Sequence, residues 1–555
     1  MAPNMVVQPS LDAIRDVLTK ANTLPNSPNL VPLCTSLSSE FLTPSSIYLK
    51  VAAQTRSELS FLFESAATTE TIGRFSFIGA EPRKVITSGP NSDIGEKDPL
   101  PILNAELSQF RVATVPGLVV PPLIGGAIGY IGYDCVKYFE PKTRRDDMED
   151  VLKLPESLFM LFDTIIAVDH FFQQVKIFTY LKVPTHLDTL TQAYEQGREV
   201  LQHMVCVLQS KDVPLPQQDP IVLGNNSVSN IGKAGYEKHV TTLKEHISRG
   251  DVIQAVPSQR FARPTSLHPF NLYRHLRTVN PSPYLFYIEC DGFQIVGASP
   301  EVLVKSESGR IITHPIAGTV KRGKTVEMDE RLAEELRSSL KDRAEHVMLV
   351  DLARNDVNRV CDPGSTRVDR LMVVQKFSHV QHLVSEVSGV LRPDKTRFDA
   401  FRSIFPAGTV SGAPKVKAME LIAKLEKEKR GVYAGAVGYF GYNTVTDGKM
   451  EEGAMDTCIA LRTMVVKEGI AYLQAGGGIV FDSVENDEYE ETINKLKASA
   501  ASIETAEAAY WQEQNPGKAF SGQATAAVAG DSQAAAAEEL PTSNAKAAHI
   551  DLAAG

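Results

Sequence analysis

The chain has 555 residues, 43% hydrophobic and 22% charged, with a formal net charge of −10. That length allows two or three domains with well-buried cores, and the composition is that of an ordinary soluble protein. The acidic balance argues against non-specific nucleic-acid or membrane-surface binding, which needs a basic face. Six cysteines without a CxxC pair suggest free thiols in a reducing compartment. The first twenty residues lack the pattern of a secretion signal and the Arg/Ser bias of a transit peptide, so the expected location is cytoplasmic.

In chain order, a short helix is expected near Ser10–Ala21, followed by a Pro/Asn-rich link. Alternating β-branched and aromatic residues then predict strands at Ser46–Ala53, Ser60–Glu64, Arg74–Ile78 and Lys84–Ser88. Leu118–Tyr133 is too short and too rich in Pro and Gly to span a membrane and reads as buried strand. Strands Phe159–Val168 and Gln174–Tyr180, then helix Leu187–Gln209, complete the first half. The proline-bearing stretch Ser210–Gly232 is the best linker. It separates an N-terminal domain over 30–210 from a C-terminal domain over 233–505.

The second half opens with helix Lys233–Ser248 and strand Val252–Arg260. Strands follow at Tyr284–Cys290, Gln294–Ala298, Glu301–Lys305 and Arg310–Pro315. A long helix is expected over Asp329–Arg354 and another from Pro414 to Glu428. Strands Val432–Tyr442, Ala454–Val466 and Gly469–Gln474 come next. An echo joins the halves: Gly126–Tyr133 is GAIGYIGY and Gly435–Tyr442 is GAVGYFGY, which points to related sheet positions. Residues 512–555 are rich in Ala, Gln, Ser and Gly and are expected to be a disordered tail.

The most informative stretch is Gln474–Lys497. Gly476, Gly477 and Gly478 let the backbone come close to a ligand, and a helix is expected over Asp487–Ala500. Glu488, Glu491 and Lys495 share one face of that helix. Two carboxylates and an ammonium there suit a hard divalent cation beside an anionic ligand, or simply a solvated acidic helix start. Gly318–Thr325, GTVKRGKT, is a literal phosphate-loop match, so an ATPase using Lys324 is the rival from another class. The acidic residues Glu327, Asp329 and Glu330 just after it count against bound phosphates. Val347–Asp351, VMLVD, continues a helical spacing and is not a metal-binding strand.

Four further segments stand in order: His314–Thr319 (HPIAGT), Ala344–Asp356 (AEHVMLVDLARND), Phe377–Leu383 (FSHVQHL) and Pro406–Lys415 (PAGTVSGAPK). With the glycine stretch, they resemble the chorismate-utilising enzymes and within them the anthranilate synthase component I branch, over roughly Phe41 to Ser502. The resemblance implies an α+β fold in which large antiparallel β-sheets pack as a sandwich with helices outside. It implies one Mg²⁺ held by Glu345, Glu488 and Glu491, with Lys495 as counter-charge. It places chorismate against Gly318, Thr319, Thr409, Tyr442, Arg462 and the Gly476–Gly478 amides. Arg462 would pair with the enolpyruvyl carboxylate, and His382 would move a proton in pyruvate elimination.

Two positions separate branches of that family. Ala317 stands where some aminodeoxychorismate synthases carry a covalent lysine, and Gln254 stands where isochorismate and salicylate synthases carry a water-activating lysine. With neither lysine present, ammonia is the implied nucleophile, supplied from glutamine by a separate amidotransferase subunit. A lysine-independent aminodeoxychorismate synthase is the nearest rival. The resemblance also implies a tryptophan feedback site made of Glu64, Ser65, Arg74, Asn280, Pro283, Tyr284, Leu285 and Cys458. The turn NPSPYL could equally be a plain proline-rich turn.

Overall fold

A computed structural model describes residues 5–21, 24–55, 57–65, 73–377 and 380–517. Side-chain alternation along the strands decides the layering. In strand Gly126–Ile131, Ala127 and Ile131 face one core while Ile128 and Tyr130 face another. In strand Ser60–Glu64, Leu62 faces a third core, and Phe61 shares the core of Ile128 and Tyr130. Two large sheets therefore lie face to face, and each buries its outer side under helices. The expected α+β sandwich with outer helices is the fold observed. Of the tail expected over 512–555, Gln512–Gln514 belong to helix Glu485–Gln514, and residues 518–555 lie outside the described residues.

The strand order exposes a duplication. At the seam of the larger sheet, Ser60–Glu64 pairs antiparallel with Tyr284–Cys290. Outward on one side run Phe75–Ala80, Ile165–Asp169, Gln174–Lys182 and Leu30–Ser38. Outward on the other run Phe293–Ser299, Thr463–Lys467, Ile470–Gly476 and Ser258–Pro264, the same succession from the second half. In the smaller sheet the two echo strands are themselves partners, with Gly129 opposite Gly438 and Gly126 opposite Gly441. A Cβ at Gly129 would lie 1.8 Å from the Leu158 carbonyl oxygen, and one at Gly438 would lie 2.1 Å from that of Asp456. Only glycine admits backbones this close.

Several expected elements divide or change type. Phe159–Val168 is two strands, Ser157–Phe162 and Ile165–Asp169, which lie in different sheets. Ala454–Val466 divides likewise into Met455–Ile459 and Thr463–Lys467, with Arg462 at φ +49° on the corner. The strands on either side of each corner are mostly buried on both faces, so periodicity could not mark the corner. Val252–Arg260 also divides, into Gln254–Ala255 and Ser258–Pro264.

Ser46–Ala53, expected as strand, is most of helix Pro44–Ala52 and its C-cap Ala53. Thr43 and Ser46 form a capping box and Pro44 occupies the first turn, which outweighs the β-branched residues downstream. The single helix expected over Asp329–Arg354 is two, Val326–Ser338 and Leu340–Asn358, because Ser339 caps the second. Within Leu118–Tyr133 only Gly126–Ile131 is strand, and Val119 is exposed.

The phosphate-loop match also fails. Gly318–Lys321 lies inside strand Ile316–Lys321, paired with Val380–Val390. The following turn is filled by Asp329, which pairs with Arg322 and accepts the Gly323 N–H. A carboxylate already sits where a phosphate would bind.

Candidate active site

The short strand Gln254–Ala255 organises the site. It pairs with Gly412–Ala413 on one edge, and Ala255 bridges to Ile479 on the other. This draws the Thr409 turn and the glycine run to the same place. Gln254 is buried, and its amide nitrogen donates to Glu345 Oε1 at 2.9 Å. Burial raises the Glu345 carboxyl above its usual range, while Gln254 and Lys495 pull it down.

The glycine run threads between carboxylates. A Cβ at Gly477 would stand 3.1 Å from Glu488 Oε2, and one at Gly478 would stand 2.5 Å from Gln254 Nε2 and 3.5 Å from Glu345 Oε1. Ser483 Oγ donates to Glu488 Oε1 at 2.6 Å, whereas Glu488 Oε2 is buried without a hydrogen bond. Lys495 Nζ donates to the Gly476 carbonyl at 2.9 Å and pairs with Glu491 at 2.7 Å. Burial raises the Glu488 carboxyl, and Glu491 raises both Glu488 and Glu345 further. Hard oxygen donors that repel one another, one of them orphaned, suit a divalent cation. Among the described residues, no three such side chains already close on a single point, and Glu491 is turned to Lys495.

On the opposite side, His382 is buried on strand Val380–Val390. Its Nδ1 lies 3.1 Å from the Gly318 carbonyl and 2.9 Å from Thr319 Oγ1. A carbonyl only accepts, so Nδ1 carries the proton and Nε2 is the basic nitrogen. Nε2 has no partner. Burial, reinforced by Arg462, lowers the ring to about 4, so it is neutral at ordinary pH. Burial also lowers Arg462, and Glu301 is the charge that opposes this.

Glu301 is absent from the residues expected on sequence. It is buried where the chain crosses between sheets after strand Phe293–Ser299, and burial raises it to about 8. Thr409, the Ile316 backbone and Arg462 all favour its ionised form, but desolvation outweighs them. Thr409 Oγ1 faces this carboxyl yet makes no hydrogen bond of good geometry. Its one sequence signal is a proline-glutamate step, Pro300-Glu301, directly after an expected strand.

Tyr442 is not here. Its hydroxyl accepts from Arg83 at 3.2 Å, and its ring packs on Phe110 and Tyr180 in the first half. The duplication explains the misplacement. Gly79–Arg83 (GAEPR) occupies the position of Gly297–Glu301 (GASPE), and Asp163 that of Arg462. The pair of Glu301 and Arg462 at the candidate site thus has a charge-inverted counterpart, Arg83 and Asp163, joined at 3.0 Å. Tyr442 belongs to that second place. The tyrosine at the candidate site is Tyr433, whose phenol faces the backbone N–H of Gly476.

The residues expected to bind an effector gather at the seam. Glu64 stands opposite Leu285 in the sheet. Its carboxylate accepts from Tyr273 at 2.5 Å and from Arg277 at 3.0 Å. Tyr284 donates to Asp456 at 2.8 Å, beside the buried Cys458. Asn280 ends the helix that carries Tyr273 and Arg277, and its amide nitrogen is buried without a partner. Pro283 precedes Tyr284, and Ser65 follows Glu64 at the strand end. Arg74 instead pairs with Asp169 at 3.0 Å and does not join this group.

A family model described as chorismate binding enzyme matches residues 58–501. The chain is 60% identical over 513 residues to "Anthranilate synthase component 1" of Saccharomyces cerevisiae, covering 91% of this chain and 98% of that one. It is 41% identical over 498 residues to the protein of the same name from Acetivibrio thermocellus, covering 86% and 96%. The crystal structure of anthranilate synthase component I from Streptococcus pneumoniae superposes with TM-score 0.63 at 36% identity, over 78% of this chain and 94% of that one. MenF, the menaquinone-specific isochorismate synthase of Escherichia coli, superposes with TM-score 0.64 at 18% identity, over 88% and 100%, and shares the fold.

Proposed function

The chain belongs to the chorismate binding enzyme family, and from that footing we propose that it is the aminating subunit that converts chorismate and ammonia to anthranilate and pyruvate. The observation that carries the reading is near full-length identity to anthranilate synthase component 1 proteins. Orphaned polar atoms on Glu488, His382 and Thr409 surround the same glycine-lined site, and buried polar atoms of this kind need a partner. They support a polar, anionic substrate there.

In this mechanism Arg462 binds a substrate carboxylate bidentately in a dry environment, where such a pair is strong. Ammonia attacks ring C2, the double bonds shift, the C4–oxygen bond breaks, and the ammonium formed on C2 gives up a proton to become the amine. Glu301, held protonated by burial up to about 8, gives its proton to the departing hydroxyl, which leaves as water. His382 Nε2 then takes the C2 proton as the C3–oxygen bond breaks, and a proton adds to the methylene carbon of the departing enolate, which leaves as pyruvate. Glu345, Glu488 and Glu491 would hold Mg²⁺, which when bound neutralises the ring carboxylate. Gln254 fixes Glu345, and Lys495 keeps the site from excess negative charge.

Ammonia would come from glutamine through a separate amidotransferase subunit, and tryptophan would inhibit from the seam. Strand Met455–Ile459 supports the second idea, because it carries Cys458 and leads directly to Arg462. Differential binding to two positions of that strand would couple the sites. Among the described residues no helix is long and apolar enough to cross a membrane. A cytoplasmic location fits this.

His382→Ala tests the assignment of steps. It is expected to consume chorismate and ammonia but release pyruvate at least about a hundredfold more slowly, so that an aminated intermediate accumulates. Loss of both steps together would contradict a role confined to elimination.

A further inference from the structure

We infer that Arg430 and Glu426 are positioning residues for this reaction, through which the first half of the chain helps to set the geometry of the site. Arg430 is 2% exposed, and all three nitrogens of its guanidinium donate hydrogen bonds. It donates to Glu426 at 2.9 and 2.6 Å, to the Val410 carbonyl at 2.9 Å and to the Val256 carbonyl at 2.7 Å. Val410 adjoins Thr409, and Val256 is two residues beyond Gln254, which holds Glu345. Glu426 in turn accepts from the Ser258 N–H at 2.7 Å and from its hydroxyl at 2.9 Å. One ion pair therefore ties together the two backbone segments on which Gln254 and Thr409 stand.

The first half closes over this pair. The guanidinium lies 4.4 Å from the ring of Tyr133 and 5.7 Å from that of Tyr433, the tyrosine that reaches Gly476. Asp134 accepts the Gly431 N–H at 2.8 Å and the Arg430 N–H at 3.4 Å. Tyr133 and Asp134 follow the echo strand Gly126–Ile131 after one residue, Gly132. A planar fork with five donors can satisfy two carbonyls and a carboxylate at once, whereas a lysine ammonium cannot span them. The alternative is a buried ion pair that serves stability alone.

The two readings separate in kinetics. Arg430→Lys keeps the charge beside Glu426 but frees at least one of the two carbonyls. It is expected to raise KM for chorismate roughly tenfold or more and to lower kcat, in a protein that still melts cooperatively. Arg83→Lys, in the charge-inverted pair of the first half, is the control. It is expected to lower the melting temperature while leaving kcat and KM unchanged. Tyr133→Leu and Asp134→Asn, which touch none of the reacting groups, are each expected to raise the same KM about threefold.

Unchanged kcat and KM in a folded Arg430→Lys would overturn the inference, as would equal kinetic loss in Arg83→Lys. If Arg430→Lys does not fold, unchanged KM in both first-half variants overturns it. The inference rests on the chorismate reading: an inactive wild-type chain would sink that reading, whereas an active wild type with unmoved variants sinks only this one.

Discussion

Glu301 links burial and stability to its proposed role in catalysis. Its carboxyl rises from 4.5 to about 8 in the folded protein because burial penalises the charge. As pH rises, the unfolded chain ionises first and binds fewer protons than the native one, so stability falls between about pH 4.5 and 8. Glu301→Gln removes that ionisation. It is expected to raise the melting temperature, more near pH 8 than near pH 5, while lowering kcat roughly 10²- to 10⁴-fold. A variant that melts lower at both pH values would contradict the assignment. In the wild type, at constant free ammonia, kcat is expected to fall as pH rises through about 8. His382, lowered to about 4, keeps its basic nitrogen available across that range.

His382 and Glu345 are legible in the sequence because each stands in a distinctive ordered segment. Glu301 has only a proline before it and apolar residues after it. Its chemistry comes from burial, which no local pattern reveals. Tyr442 is misplaced on sequence because the echo gives both halves a tyrosine at matching positions, and only pairing in the sheet shows which half each one serves.

At the scale of elements, the glycine run and the two flanking helices do the positioning. Gly478→Ala would bring a Cβ to 2.5 Å from Gln254 Nε2 and push that amide off Glu345. The Mg²⁺ concentration for half-maximal activity is expected to rise about tenfold. An unmoved Mg²⁺ titration would show that Gln254 does not orient a metal ligand. Lys324→Ala tests the phosphate-loop alternative. Because Gly318 is in a strand and Asp329 fills the next turn, kcat is expected to stay unchanged, with no ATP hydrolysis in either protein. The phosphate-loop pattern reads the same in a strand as in a loop, so only pairing with Val380–Val390 could decide it. Helix Glu485–Gln514 is legible from its acidic start, and the helix of Glu345 from its apolar spacing. The corners at Asp163 and Arg462 are not, because runs buried on both faces have no period to break.

Across the whole molecule, the duplicated architecture places the proposed chemistry in one half. The two series of strands meet at the seam between Ser60–Glu64 and Tyr284–Cys290. In the second half the crossing residues are Glu301 and Arg462, which face substrate in the proposed mechanism. In the first they are Arg83 and Asp163, which satisfy each other. The eight-residue echo and the shorter match of GAEPR with GASPE are visible traces of this symmetry in the sequence. The first half nevertheless reaches the candidate site through Tyr133 and Asp134, and most of the residues proposed to bind an effector lie on the seam itself.

The most direct test uses the purified chain with chorismate, Mg²⁺ and ammonium at alkaline pH, following anthranilate fluorescence and repeating the assay with EDTA. The proposed reaction requires a 2-amino product with equimolar pyruvate, abolished by EDTA and restored by Mg²⁺. A 4-amino product, or no turnover while an authentic anthranilate synthase component I works in the same cuvette, would contradict it.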